Sequence, residues 1–156
     1  MTAKEKVLNR EKERGKLAAL SLQEKSSEMT GTELNAVDDT IPLFSRAIEQ
    51  KNMLERHADM RTGFVCVSPE GRIVRLIQNY DSNIYKQTPE ELPAQWAFVW
   101  STDPAKAKPF IAMATSPYHI GECCLDSQGR AWASKIDTNI WSPDNVPLYW
   151  ELCEEV

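Results

Sequence analysis

Residues 63–99 and 121–151 carry the same landmarks in the same order, and this internal repeat restricts the fold more than any other feature of the chain. Gly63 and Gly71-Arg72 stand at the spacing of Gly121 and Gly129-Arg130, and Cys66 falls on Cys124. Further on, Asp81-Ser82-Asn83-Ile84-Tyr85 aligns with Asp137-Thr138-Asn139-Ile140-Trp141, and Pro93-Ala94-Gln95-Trp96 with Pro147-Leu148-Tyr149-Trp150. A period of this length means one structural unit built twice. A domain shorter than roughly 40 residues seldom buries enough surface to fold alone, so the two copies are expected to pack on each other or on a helix.

Both copies read as β structure. Phe64-Val65-Cys66-Val67 and Ile73-Val74-Arg75-Leu76-Ile77 flank the Pro69-Glu70-Gly71 turn as a hairpin. Asp81-Ser82-Asn83 marks the next turn, because short polar side chains bond the local backbone there, and Ala97-Phe98-Val99-Trp100 reads as a third strand. In the second copy Glu122-Cys123-Cys124-Leu125-Asp126 and residues 130–136 repeat the hairpin around Ser127-Gln128-Gly129, and residues 110–114 suggest an added opening strand.

The preceding residues have a different texture. Residues 2–29 are rich in Lys, Glu, Arg, Leu and Ala and predict a polar helix, either solvated or docked on a partner chain. Thr30-Gly31-Thr32 is expected to break it, residues 35–39 read as linker, and Thr40 with Pro42 suggests the start of a second helix carrying Leu43, Phe44, Ala47, Ile48 and Leu54. The fold class is therefore mainly β with N-terminal helices (α+β), with two tandem three-stranded units. The divisions fall at 1–29 (charged helix), 30–62 (linker and second helix), 63–100 (first unit) and 101–156 (second unit).

A formal charge of −5 with interspersed signs argues against a phosphate-backbone partner, which needs a concentrated basic face. No apolar run approaches the roughly 20 residues of a bilayer-spanning helix, and the first residues lack the apolar core of a secretory signal, so neither a membrane nor export is expected. Cys66, Cys123, Cys124, Cys153, His57 and His119 lack the clustered spacing of a zinc site, and no metal or other cofactor is expected. Cys66 and Cys124 read as small buried hydrophobes, while a Cys124–Cys153 disulfide stays open on spacing alone.

No nucleophile elbow, phosphate loop or Cys-His pair is present, and Glu90, Glu91, Glu122, Asp126 and Asp137 read as solvated surface rather than as a glycosidase pair. Catalysis is not expected. Trp96, Trp132 and Trp150 lie in strand-like sequence and read as core. Trp141 and its counterpart Tyr85 each follow a turn, where an exposed flat ring suits the apolar face of a sugar; Tyr149 and Tyr80 are weaker candidates of the same kind. Asp137, Asn139, Asp144 and Asn145 are the polar groups expected to take sugar hydroxyls.

Through Tyr118, Gly121-Glu122, Gly129, Trp132, Pro143 and Trp150, the last forty or so residues resemble the small chitin- and cellulose-binding modules of carbohydrate-binding families five and twelve. Where those modules carry two adjacent aromatics this chain has Lys135-Ile136-Asp137, so the resemblance transfers the binding role to Trp141 and Tyr149. From residue 30 onward, with residues 81–100 and 103–118 foremost, the chain also resembles small proteins of Firmicutes phages and prophages. Together these imply a non-enzymatic virion or tail protein that recognises a host-surface glycan, found in the virion or the host bacterial cytoplasm. The alternatives are an adaptor whose residues 1–29 mediate homo-oligomerisation or docking on another phage structural protein, and an intracellular protein that binds a host protein.

Overall fold

The computed structural model describes residues 2–3, 22–23, 25–49, 63–82 and 84–153. Within them the chain is mainly β, with two sheets and two short helices, α1 (Gly31–Ala36) and α2 (Phe44–Glu49). The first sheet is an antiparallel meander of β1 (Val65–Val67), β2 (Ile73–Leu76) and β3 (Trp96–Phe98). The second is ordered β4 (Lys108–Pro109), β5 (Cys123–Leu125), β6 (Ala131–Ser134) and β7 (Trp150–Leu152), antiparallel except for the parallel β4–β5 pair.

The repeated residues make repeated hydrogen bonds. Gly63 N donates to Leu76 O as Gly121 N does to Ser134 O, and Ser68 N donates to Arg72 O as Asp126 N does to Arg130 O. Gly71 and Gly129 close the hairpin turns at φ 87° and 78°, a region where a side chain is strained. Past the hairpin, Ile77 N donates to Gln95 O and Lys135 N to Tyr149 O, which sets the register of β3 and β7. The correspondence begins further upstream than the sequence alone indicates. Val67 pairs in parallel with Leu43 as Leu125 does with Pro109, and each short pairing follows a 3-10 turn, Asp38–Thr40 in one case and Pro104–Lys106 in the other. The added strand is thus β4 at Lys108–Pro109 and not residues 110–114, because the ladder to β5 ends with the Phe110 N to Leu125 O bond.

The supposed linker at 30–39 is structured. Thr30 caps α1 in a reciprocal box with Glu33, so Thr30-Gly31-Thr32 starts a helix instead of breaking one. Leu34 is buried beneath β1 and β2, and the Asn35 side chain donates to Val99 O. Gly31 permits this approach, since a Cβ there would lie 2.1 Å from the Trp100 carbonyl oxygen. Thr40 does not cap α2. It ends the 3-10 turn, its hydroxyl donates to Val37 O, and α2 starts only at Phe44 after Leu43 has paired with Val67. Residues 50–62, including Leu54, lie outside the described residues, as does most of the polar helix expected over 2–29. The described end of that segment is held by the chain's own first sheet: Gln23 bonds both N and O of Val65, and Arg75 donates to Ser26 O.

One aromatic core lies between the sheets. Phe98, Trp100, Tyr118 and Phe110 stack in succession, with Trp150 edge-on to Tyr118 and Phe110. Cys66 and Cys124 are both fully buried there. Burial of aromatic rings at about 150–250 Å² each is the main apolar contribution available to a chain with such short strands. Arg72 crosses between the sheets: its guanidinium donates to Pro109 O at 2.8 Å and pairs with Glu90 and with Glu70. Glu90, expected at the surface, is instead a buried ion-pair partner that also accepts from Ser68. Among the described residues no helix is long and apolar enough to cross a membrane.

Candidate functional site

In the second sheet the chain leaves β6 through four bends, passes Asn139 and reaches Trp141 before the turn at 143–145. Thr138 adopts φ 54°, the one non-glycine residue in the left-handed region among those described, and so reverses the chain between Asp137 and Asn139. The backbone of Asn139 then exchanges both hydrogen bonds with Tyr118.

Trp141 is 44% exposed, yet its backbone is held from two sides by buried groups. Its N–H donates to Asn139 Oδ1 at 3.1 Å, and its carbonyl accepts from the buried Trp150 indole N–H at 2.8 Å. Tyr149 meets the Trp141 ring edge-on, with centroids 5.4 Å apart and planes at 64°. The two rings therefore form a corner rather than one flat platform, and the exposed face belongs to Trp141.

The first sheet does not build the same site. Tyr85 is exposed, but there the core indole of Trp96 donates to the Tyr80 hydroxyl at 3.1 Å, not to the backbone of Tyr85. Tyr85 is held by a local bond from its N–H to Asp81 O. Tyr80 packs edge-on against Trp96 as part of the core, and burial pushes its hydroxyl pKa up. The sequence pairing of Tyr85 with Trp141 thus holds for position and fails for anchoring.

The polar candidates divide in the same way. Asn139 is fully buried, so it cannot touch a surface sugar; its amide donates to Ser134 Oγ at 2.9 Å while its oxygen holds Trp141. Asp137 is exposed, and one of its oxygens accepts from Ile120 N and lies 3.6 Å from His119 Nδ1. Asp144 bonds both N and Oγ of Ser127, tying the turn after Trp141 to the β5–β6 hairpin, and Asn145 is exposed beside it.

Asp126 is likewise not solvated surface. Against the upward push of burial, bonds from Trp132 Nε1, from Arg130 and from Gln128 N hold its carboxyl down at about 2. Trp132 consequently lies half-buried over this carboxylate, with the Arg130 guanidinium 5.7 Å from its ring centroid, and is less of a core residue than Trp96 or Trp150. Burial raises the Glu122 carboxyl, which accepts from His119 N and so fixes the loop against which Asp137 bonds.

All four cysteines are free thiols. Cys124 faces the core, whereas Cys153 belongs to the alternate parity of β7, the side of Cys123 and Ala133, so the register separates the Cys124–Cys153 pair considered from spacing. Burial, with Cys153 nearby, pushes Cys123 up to about 12. Among the described residues no three His, Cys, Asp or Glu side chains gather as metal ligands. The chain matches no protein-family model, no curated protein and no solved structure.

Proposed function

We propose that this protein is a non-enzymatic binding protein that attaches to a glycan through the exposed ring of Trp141. The observation that carries the reading is the contrast between that ring and its backbone: the ring faces solvent while N–H and C=O are locked to Asn139 and Trp150. A large apolar surface held in place before binding costs little ordering entropy on association, which is what a weak, shallow ligand such as a sugar requires. Tyr149 supplies a wall at one edge and Asp137 a hydrogen-bond acceptor in the preceding bend. The resemblance of the last forty or so residues to chitin- and cellulose-binding modules supports the same reading. The wider resemblance to Firmicutes phage proteins supports a bacterial cell-wall glycan as the target, met from a virion or inside an infected cell.

The test is retention on insoluble chitin and on purified peptidoglycan, comparing wild type with Trp141→Ala. Loss of the ring should weaken retention at least tenfold, about 1.4 kcal/mol. Thermal stability should change little, because an exposed side chain whose backbone bonds survive rarely contributes more than about 0.5 kcal/mol. Equal retention of the two proteins, or retention of neither, refutes the proposal. An adaptor role is favoured by one separate observation, the exposed apolar side chains of Ile120, Leu148 and Leu152 on the same sheet and its loops. It predicts protein capture that Leu148→Ser abolishes and Trp141→Ala leaves intact.

A further inference from the structure

We infer that the Trp141 site takes a single sugar residue of a solvated glycan, and not the flat face of a crystalline polysaccharide. The inference rests on the glycan-binding reading above and names the ligand class of that site. A crystalline face sets many sugar rings side by side in one plane. It favours a protein that presents several aromatic rings in a matching plane, because each ring stacks on one sugar and the linked contacts reinforce one another. A lone ring collects one such contact.

The five Trp, four Tyr and four Phe of the chain all lie among the described residues, and of these rings only Trp141 and Tyr85 are exposed. The other rings of the second sheet are committed elsewhere. Tyr118 and Trp150 are buried, with Phe110 stacked on the first and edge-on to the second. The Trp132 indole donates to Asp126, and the Arg130 guanidinium lies over its ring. Tyr149 is half-buried and stands at 64° to Trp141 with 5.4 Å between centroids, so adjacent sugars of one flat chain cannot stack on both. Its ring closes one edge of Trp141 instead. Tyr85 belongs to the other sheet, where its N–H is held only by the local bond to Asp81 O, and it supplies no anchored second plane.

The experiment has two arms on the full chain. The first is an NMR titration of the Trp141 indole N–H resonance, identified by its loss in Trp141→Ala, with the disaccharide and the hexasaccharide of N-acetylglucosamine. A site for one sugar should bind the hexamer only about threefold more tightly, the statistical gain from its larger number of sugars, whereas a second stacked ring would add roughly tenfold or more. The second arm compares retention on amorphous and on crystalline chitin per unit of accessible surface. Amorphous chitin should retain the protein at least as well, Trp141→Ala should lose that retention, and Tyr85→Ala should keep it. A hexamer preference of about tenfold or more, preferential retention on the crystalline form, or a loss in Tyr85→Ala equal to that in Trp141→Ala overturns the inference and leaves the glycan-binding reading standing. Failure of both oligomers to shift the resonance also overturns it, and if retention on peptidoglycan is absent as well, the glycan-binding reading falls with it.

Discussion

Replacing Asn139 by Ala should unfold the loop that presents Trp141 while touching none of the exposed surface. The side chain makes two well-formed bonds, 2.9 Å to Ser134 Oγ and 3.1 Å from Trp141 N, and a third at 3.5 Å to Tyr149 O that is too long to count for much. Two such bonds are worth about 1 kcal/mol each, and the Trp141 N–H left without its partner in a part-buried position adds about another 1 kcal/mol. The sum, near ~3 kcal/mol, is a large share of the ~5–15 kcal/mol that holds a domain together. For a chain of this size it lowers the melting temperature by about 6–12 °C, read by circular dichroism. Asn139→Asp sharpens the test. It keeps the acceptor for Trp141 N, loses the donors and places a carboxylate where no solvent reaches, so its destabilisation should be greater at neutral pH than in mild acid. A melting shift under about 2 °C for Asn139→Ala, the size of an ordinary surface substitution, would show that the loop is held by something else and that the rigid-backbone argument for Trp141 is wrong.

Arg72→Ala should cost about 3–5 kcal/mol in urea unfolding, since it leaves Glu90 buried and unpaired and Pro109 O without its donor; Arg72→Met with Glu90→Gln should recover much of that. Gly31→Ala, at the first position of α1, should destabilise, because its Cβ would meet Trp100 O at 2.1 Å and the displacement costs about 1–3 kcal/mol; a rise in urea midpoint would refute this. Acid titration of stability should show the Asp126 contribution. Its folded pKa is depressed to about 2, so the stabilisation is complete above the unfolded value near 3.9, roughly, and is lost as pH falls through 2. Asp126→Asn should flatten that limb of the profile, and an unchanged slope counts against the network around Trp132.

The hairpins were legible because they depend on local chemistry. Gly71 and Gly129 sit at positive φ, short runs rich in apolar residues flank them, and the strands of the two hairpins form where those runs lie. The α1 cap was equally present in the sequence as Thr30-x-x-Glu33, but the glycine between them reads as a breaker unless one knows that the Trp100 backbone must pass within contact of it. Glu90 and Asp126 look like surface residues for a similar reason: the partners that justify burying them, Arg72 from 18 residues earlier in the chain and the Trp132 indole across the hairpin, are brought to them by packing.

The candidate site divides along the same line. Repetition, turn chemistry and aromatic content in the sequence were enough to indicate a mainly β chain and to single out Trp141 as a ring following a turn, while the four-stranded second sheet departs from the three strands expected. Only the tertiary structure decided that Trp141 is anchored and Tyr85 is not. A buried indole N–H must find an acceptor, and in the second sheet Trp150 takes it from the Trp141 backbone, whereas in the first Trp96 takes it from the Tyr80 hydroxyl, leaving Tyr85 out of the core's hydrogen bonding.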